Sequence, residues 1–425
     1  MTTKTSAVAS AILAAGALYG QVVVADQDPI RIGLLVTQEG TFAKAGSDGI
    51  RGFELALRQA DSMAGGRAIE WVLGPTDGKP DTALRAARKL VESDGVDLII
   101  GPLSGSEGIA MRDYAKTVPD ITIINGVSSA METTFVDPAP NFFRFNIQGA
   151  QAGYGLGSYV VNEKGWTRVA TVAADYSFGY TNFLGFAADF CRAGGEIAER
   201  FWVPLGSSDF GSVIAAMPDD IDAIYLGVGG TDAINFLNQY EQAGAETNLI
   251  GSSIIADQSV LTAKGSAKEA LIGTPAAGWQ AADSDLPEWQ AFVAAYQGAW
   301  PENERFPSPS LFASLYYNAT VATLTALDQV EGDLGGGQQA FREALAAVEL
   351  DSPLGHIKLD ENRQAIGSVY ISEVVENEDG TGLTSRMVSR TDNVNATFGL
   401  STEEFMTKVG LPSRDTPDCD ALRGN

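Results

Sequence analysis

The sequence predicts an α/β protein built from two successive layer systems, each a parallel sheet flanked by helices. Three features lead there. Short β-rich runs alternate with helical patterns from residue 31 onward. The strands are nearly continuous apolar runs, as expected for a parallel sheet covered on both faces. The rhythm then stops and restarts near Gln148.

In the first system "IRIGLLV" (31–37) reads as a strand. "SDGIRGFELALRQAD" (47–61) reads as a helix, with Ile50, Phe53, Leu55 and Leu57 set among polar residues. "RAIEWVLG" is a strand, and "DTALRAARKLVES" a helix capped by Asp81. "VDLIIG" is a strand, "GSEGIAMRDYAK" a helix and "DITIIN" a strand. In the second system "AGYGLGSYVVNEKG" (152–165) reads as one helix and "TRVATVAAD" as a strand. "FGYTNFLGFAADFCRAGG" is a helix stopped by Gly194-Gly195. "EIAERFWV", "IDAIYLGV" and "TNLIGSS" are strands, separated by helices near 210–217 and 230–242. The last third holds three helical patterns ("LPEWQAFVAAYQGAW", "SPSLFASLYYNATVATLTALDQV" and "QQAFREALAAVE") but few strands. "GHIKLD" and "GSVYISEVVE" therefore return to complete the first two sheets, with "NEDGTG" (377–382) as a hairpin turn and a polar tail after them.

The chain has 425 residues and is 45% hydrophobic, enough to bury two or three cores. Its formal charge of −26 repels phosphate backbones, which argues against nucleic acid as a partner. Lys4 precedes an apolar run from Ala7 to about Tyr19. Val23 and Ala25 fit the small-residue rule for cleavage before Asp26. Residues 1–25 thus read as a secretory signal peptide, the apolar run being shorter than the ~20 residues of a membrane span. Cys191 and Cys419 are the only cysteines. In an exported chain they either form a disulfide that ties down the C-terminus or stay as two separate thiols.

Catalytic and cofactor chemistry finds little support. A Ser-His-acid triad would have to use His356, the single histidine, in a predicted strand, and there is no G-x-S-x-G elbow. One histidine and two distant cysteines offer no metal-ligand spacing, so no metal or other cofactor is predicted. "GVGGTDA" (227–233) has Asp232 where a dinucleotide loop needs its third glycine.

Six strand-to-helix junctions are instead rich in Ser, Thr and Gly: "TQEGTFAKAG", "GPLSGS", "NGVSSAMETT", "ADYSFGYTN", "GVGGTD" and "GSSIIADQ". In a parallel sheet they gather at the carboxyl ends of the strands, where ligands bind. Helix N-termini there present free N–H groups and positive dipole ends. Ser104, Ser106 and Ser128 are then candidates to hold an anionic group, most simply a carboxylate; each also fits a plain helix cap.

At these junctions the chain resembles a known family. "IRIGLLVTQEGTFAKAGSDGIRGFELAL", "DGVDLIIGPLSGSEG", "NGVSSAMETT", "FFRFNIQGAQAGYGLGSYV", "AADYSFGY" and "SPLGHIKLDENRQAIGSVYISEV" are similar to the periplasmic solute-binding proteins of branched-chain amino-acid-type ABC importers, from about Ile30 to Val375. The resemblance implies a type I periplasmic binding fold, two lobes joined by three crossovers near Ile147, Pro275 and Pro353. Lobe 1 would then be 26–147 with 276–353, lobe 2 would be 148–275 with 354–400, and 401–425 a C-terminal tail. It implies a monomeric, periplasmic, non-enzymatic receptor that closes on a small carboxylate and passes it to an inner-membrane permease. A ligand-sensing regulatory protein on the same fold is the alternative, and an α/β hydrolase a third reading.

By the same resemblance Ser104, Gly105 and Ser106, with Val127 (through its backbone) and Ser128, hold the ligand carboxylate, while Tyr176 or Phe178 covers the ligand. Two positions depart from the amino-acid binders. Ser253 stands where they carry the acid that receives the ligand ammonium, with Asp257 the nearest acid and Glu39 another on the opposite lobe. Gly229 stands where a tyrosine covers the ligand, which implies a larger cavity. Both departures suit a carboxylate without an α-ammonium, because a buried cation without a partner is costly.

Overall fold

The computed structural model describes residues 28–423; the predicted signal peptide, residues 1–25, lies outside them. The first sheet is formed by β1 (Ile30–Thr37), β2 (Met63–Ala64), β3 (Arg67–Thr76), β4 (Leu98–Ile100), β5 (Thr122–Ile124) and β6 (Phe142–Phe143), in the order β2-β3-β1-β4-β5-β6. All pairs are parallel except β2 with β3. Alternate residues of β1 face opposite ways. Leu34 and Val36 join the helices Ala43–Gln59 and Leu311–Gln329, while Leu35 packs on Ala83, Ala87 and Leu90 of Pro80–Glu92 and on Met111 of Gly105–Ala115. Burial on both faces is what an uninterrupted apolar strand needs.

The second sheet comprises β7 (Arg168–Ala174), β8 (Glu196–Val203), β9 (Ala223–Gly227), β10 (Asn248–Gly251), β11 (Pro275–Gly278), β12 (Leu350–Ser352), β13 (Gly355–Leu359), β14 (Ala365–Glu376) and β15 (Leu383–Val394). β8-β7-β9-β10-β11 are parallel, and β14, β15, β13 and β12 add an antiparallel extension. The sheets are therefore mixed, with parallel centres, rather than purely parallel. Phe183, Phe186 and Phe190 of the helix Ser177–Arg192 cover one face of the second sheet against Tyr225. Phe236 and Leu237 of Gly230–Gln242 cover the other, against Ile224 and Leu226.

The last-third helices pack on the first sheet, and the last-third strands join the second. Two boundaries move relative to the sequence reading. Pro275–Gly278 pairs with β10 and β14, so the chain leaves the second lobe after Gly278 rather than near Pro275. Leu350–Ser352 already pairs with β13, so it returns before Pro353. The helix expected over 152–165 is broken into Gly149–Ala152, Leu156–Tyr159 and a wider turn, Val160–Lys164. Gly155, at φ 84°, interrupts it. A Cβ on Gly157 would lie 2.1 Å from the Phe190 nitrogen, so this segment is set by close packing on its neighbour helix and not by its own periodicity.

The residues after 400 wrap the protein instead of forming a free tail. Phe405, in the helix Thr402–Lys408, is buried against Phe135 and Phe398. Arg414 pairs with Asp175, and Cys419 is joined to Cys191 by a disulfide with its Cα atoms 5.0 Å apart. Among the described residues no helix is long and apolar enough to cross a membrane.

Candidate functional site

β4 ends at Ile100, and three residues later Ser104 caps the helix Gly105–Ala115. The Ser104 N–H donates to Glu107 Oε2 (2.9 Å) and Ser104 Oγ accepts from the Glu107 N–H (3.3 Å). Ser104 Oγ also donates to Gly78 O (2.7 Å), so this hydroxyl is committed to the fold. The Gly105 and Ser106 N–H groups, in the first turn, have no acceptor within their helix. β7 ends at Ala174, which places Tyr176 and Phe178 at the start of Ser177–Arg192, facing Gly105 from the other lobe. A Cβ on Gly105 would lie 2.7 Å from Ser177 Oγ and 3.1 Å from the Phe178 nitrogen. The glycine lets the two helix starts meet.

Between them lies a cavity of about 320 Å³, counting its solvent-open mouth. Its lining is Phe42, Leu103, Ser104, Gly105, Val127, Ser129, Leu311 and Phe312 from the first lobe, Tyr176, Phe178 and Ile254 from the second, and Trp279 just after β11. Nine of the twelve are apolar or aromatic, and none is charged. Trp279 is held by its indole N–H, which donates to Ile147 O (2.8 Å). Burial, with Asp232 and Glu107 adding to it, pushes the Tyr176 hydroxyl far up, so it stays a neutral donor.

The predicted residues divide around this cavity. Ser104, Gly105, Val127, Tyr176 and Phe178 line it. Ser106 does not; its hydroxyl meets Ser177 Oγ across the lobes (3.2 Å). Ser128 faces the helix behind, where a Cβ on Gly108 would fall 1.8 Å from its Oγ. Ser129, one residue on, lines the cavity in its place. The sequence offered two adjacent serines and no means of telling which pointed inward.

Gly229 does not enlarge the cavity. A Cβ there would lie 2.0 Å from Ile254 Cδ1, so the space is filled by Ile254, which closes the wall. Ser253 lies beyond it, with Oγ accepting from Asn182 Nδ2 (3.0 Å), in an adjoining polar cavity of about 430 Å³ that shares Trp279 and Leu311 with the first. Glu39 is exposed and away from the lining. His356 is exposed on β13, its Nδ1 2.9 Å from Asp351, and is in neither lining. Phe42, Leu103, Ile254, Trp279, Leu311 and Phe312 are not legible as lining in the sequence, because single apolar residues at element ends carry no pattern that separates them from core.

Asp257 also lines the adjoining cavity, but its carboxylate is engaged. Oδ1 accepts from the Ser259 N–H (3.2 Å) and hydroxyl (3.0 Å), and Oδ2 accepts from the Leu311 N–H (3.0 Å) at the start of a helix of the first lobe. Asp48 accepts from the preceding Ser310 N–H (3.1 Å), so two carboxylates meet one positive helix end. With Thr41 Oγ1 donating to Asp232 (3.0 Å), the Asp257–Leu311 bond holds the lobes together.

Burial raises the Asp257 carboxyl to about 6 from 3.8. The folded protein thus keeps this proton to higher pH than the unfolded chain. The resulting stabilisation is complete below about pH 4 and is lost as pH rises through about 6. The size is on the order of 2–3 kcal/mol. Asp257→Asn removes the titration. In denaturant unfolding, the stability of the variant relative to the parent is expected to improve by that amount between pH 4 and pH 8. A difference independent of pH would show that Asp257 titrates normally.

Residues 29–381 match the family model for periplasmic binding proteins. The Leu/Ile/Val-binding protein homolog 6 of Brucella melitensis is 26% identical over 267 residues, which are 60% of this chain. The match spans only 65% of that relative's length. An ABC transporter substrate-binding protein from Sphaerobacter thermophilus superposes with a TM-score of 0.76 at 30% identity, over 86% of this chain and 98% of the other. A solute-binding protein of an ABC transporter from R. palustris, solved with benzoate, superposes with a TM-score of 0.74 at 26% identity, over 85% and 98%. Over most of its length, and with two lobes facing each other across a cavity, the chain belongs to the periplasmic binding protein family.

Proposed function

We propose that this protein is an exported, non-catalytic receptor that binds a small carboxylate lacking an α-ammonium, an aromatic or aliphatic acid, and delivers it to an ABC permease. The observation that carries the reading is the lining itself. One end offers the Gly105 N–H and Ser129, suited to an anion. The rest is apolar and aromatic, and no carboxylate faces the space. An amino acid bound there would bury its ammonium without a counter-charge, at a cost of several kcal/mol. The benzoate found in the R. palustris neighbour is consistent with this class of ligand. The exposed position of His356, outside the linings of both cavities, favours binding over hydrolysis. The predicted signal peptide supports export to the periplasm.

The test is a thermal-shift and calorimetric screen of the mature protein with benzoate, short aliphatic acids and leucine. A ligand at about 100 times its Kd adds roughly 2.7 kcal/mol of stability. Acids without the amine are expected to raise the unfolding temperature, and leucine is not. A shift by leucine alone would overturn the reading, because some acid outside the lining would then have to receive the ammonium.

A further inference from the structure

Arg144 follows β6 and is fully buried. Its NH1 donates to Ala130 O (2.7 Å) and Ser128 O (3.4 Å), its NH2 to Thr134 Oγ1 and its Nε to Gln364 Oε1. Every direct acceptor is neutral. Glu132 and Asp360 attract the guanidinium only from farther away, and burial lowers its pKa to about 9, which still leaves it charged at neutral pH. A buried cation without a directly bonded anion is expensive, and tying loops together does not require one.

The two carbonyls it holds bracket Ser129. In a trans peptide the C=O and the following N–H point in opposite directions. The Ser128 carbonyl accepts from Asn125 Nδ2 (2.9 Å) as well as from Arg144 NH1, so the Ser129 N–H is turned away from both, and Ser129 is a residue of the cavity lining. The Ala130 carbonyl likewise sends the Met131 N–H to Thr181 Oγ1 on the second lobe (3.4 Å). Gln364 completes the set: it accepts from Thr134 Oγ1 (2.8 Å) and donates to Asn146 O (3.0 Å), beside two of the segments that join the lobes.

We propose that Arg144 is a positioning residue for the bound carboxylate, orienting the Ser129 N–H and acting through that peptide to select an anion over a neutral ligand of the same shape. The proposal rests on the cavity being a carboxylate site. A bound carboxylate adds negative charge one peptide unit from Arg144, on the side where it has no directly bonded anion, Glu132 and Asp360 acting only from farther away. The guanidinium fork suits this role because it grips two carbonyls at once, which an ammonium holds less rigidly.

The experiment is calorimetric titration of the mature protein and of Arg144→Gln with benzoate and with benzamide, its uncharged isostere. The variant is expected to bind benzoate about 10- to 100-fold more weakly. Benzamide affinity is expected to change by less than about threefold, so the ratio of the two collapses. A parallel loss of both ligands would make Arg144 merely structural and overturn the proposal, as would an unchanged ratio. If benzamide binds too weakly to read, benzoate decides. A loss of tenfold or more with an unchanged near-ultraviolet circular dichroism spectrum supports the proposal, and a smaller loss overturns it. If Arg144→Gln does not fold, Arg144→Lys decides: it keeps the charge and is expected to keep the preference for benzoate within about threefold, and loss of that preference overturns the proposal. Failure of the parent protein to bind benzoate overturns the aromatic-acid reading of the cavity itself, an outcome distinct from all of these.

Discussion

Gly105→Val is expected to abolish ligand binding while leaving both lobes folded. The first Cβ alone would sit 2.7 Å from Ser177 Oγ and 3.1 Å from the Phe178 nitrogen, both on the opposite lobe. The added groups also cover an N–H in the first turn of Gly105–Ala115, at the polar end of the cavity. Within its own lobe the residue occupies a first helical position whose nearest neighbour, Ala130 Cβ, is at an ordinary 3.4 Å from that Cβ, so the two closest clashes come from the opposite lobe. Overpacking of this size costs at least about 2–3 kcal/mol, or on the order of 100-fold in affinity. Titration with benzoate should show that loss, with the unliganded variant unfolding within about 1 kcal/mol of the parent. Affinity retained within about threefold would mean that the ligand does not sit at this helix start.

The second large effect concerns the C-terminal wrap. The disulfide joins residues 228 apart in sequence, Cys191 late in the helix Ser177–Arg192 and Cys419 at the start of Cys419–Arg423. Between them the chain is fastened to β8. Arg200 NH1 and the Trp202 indole N–H both donate to Arg414 O (3.1 and 3.2 Å), and Arg414 pairs with Asp175, the residue before the cavity-lining Tyr176. Cys191→Ser, or the parent under reductant, is expected to lose about 2–4 kcal/mol of stability, because a long loop is no longer closed in the unfolded chain. The same change should raise hydrogen exchange over residues 411–423 and around Asp175. A loss under about 0.5 kcal/mol would mean that the noncovalent contacts of the wrap suffice without the bond.

Much of the architecture could be read from local chemistry. Helices 230–242 and 339–346 can be read from their helical patterns and strands 31–37 and 196–203 from their β-rich runs, and Ser104 fits a helix cap from its place after a strand. The placing of "GPLSGS" and "ADYSFGY" at the carboxyl ends of strands followed from strand-helix order alone, and both junctions line the cavity. These features depend on neighbours within a few residues, which the sequence states directly. The direction of a side chain at a junction does not: Ser128 and Ser129 exchange roles through one peptide turn. The space vacated at Gly229 was given to Ile254, 25 positions away in sequence. Asp257 is an interlobe anchor because Leu311 happens to arrive opposite it. Arg144 stands in an unremarkable aromatic stretch, and only burial behind the Ser128–Ala130 loop makes its charge significant. The sequence by itself determined most of the secondary elements and their order, since these rest on apolar runs, periodicity and local turn chemistry, though not the broken helix after Gly149. Which groups face the cavity and which bind the lobes was decided only by tertiary packing, because those contacts join residues that are distant along the chain.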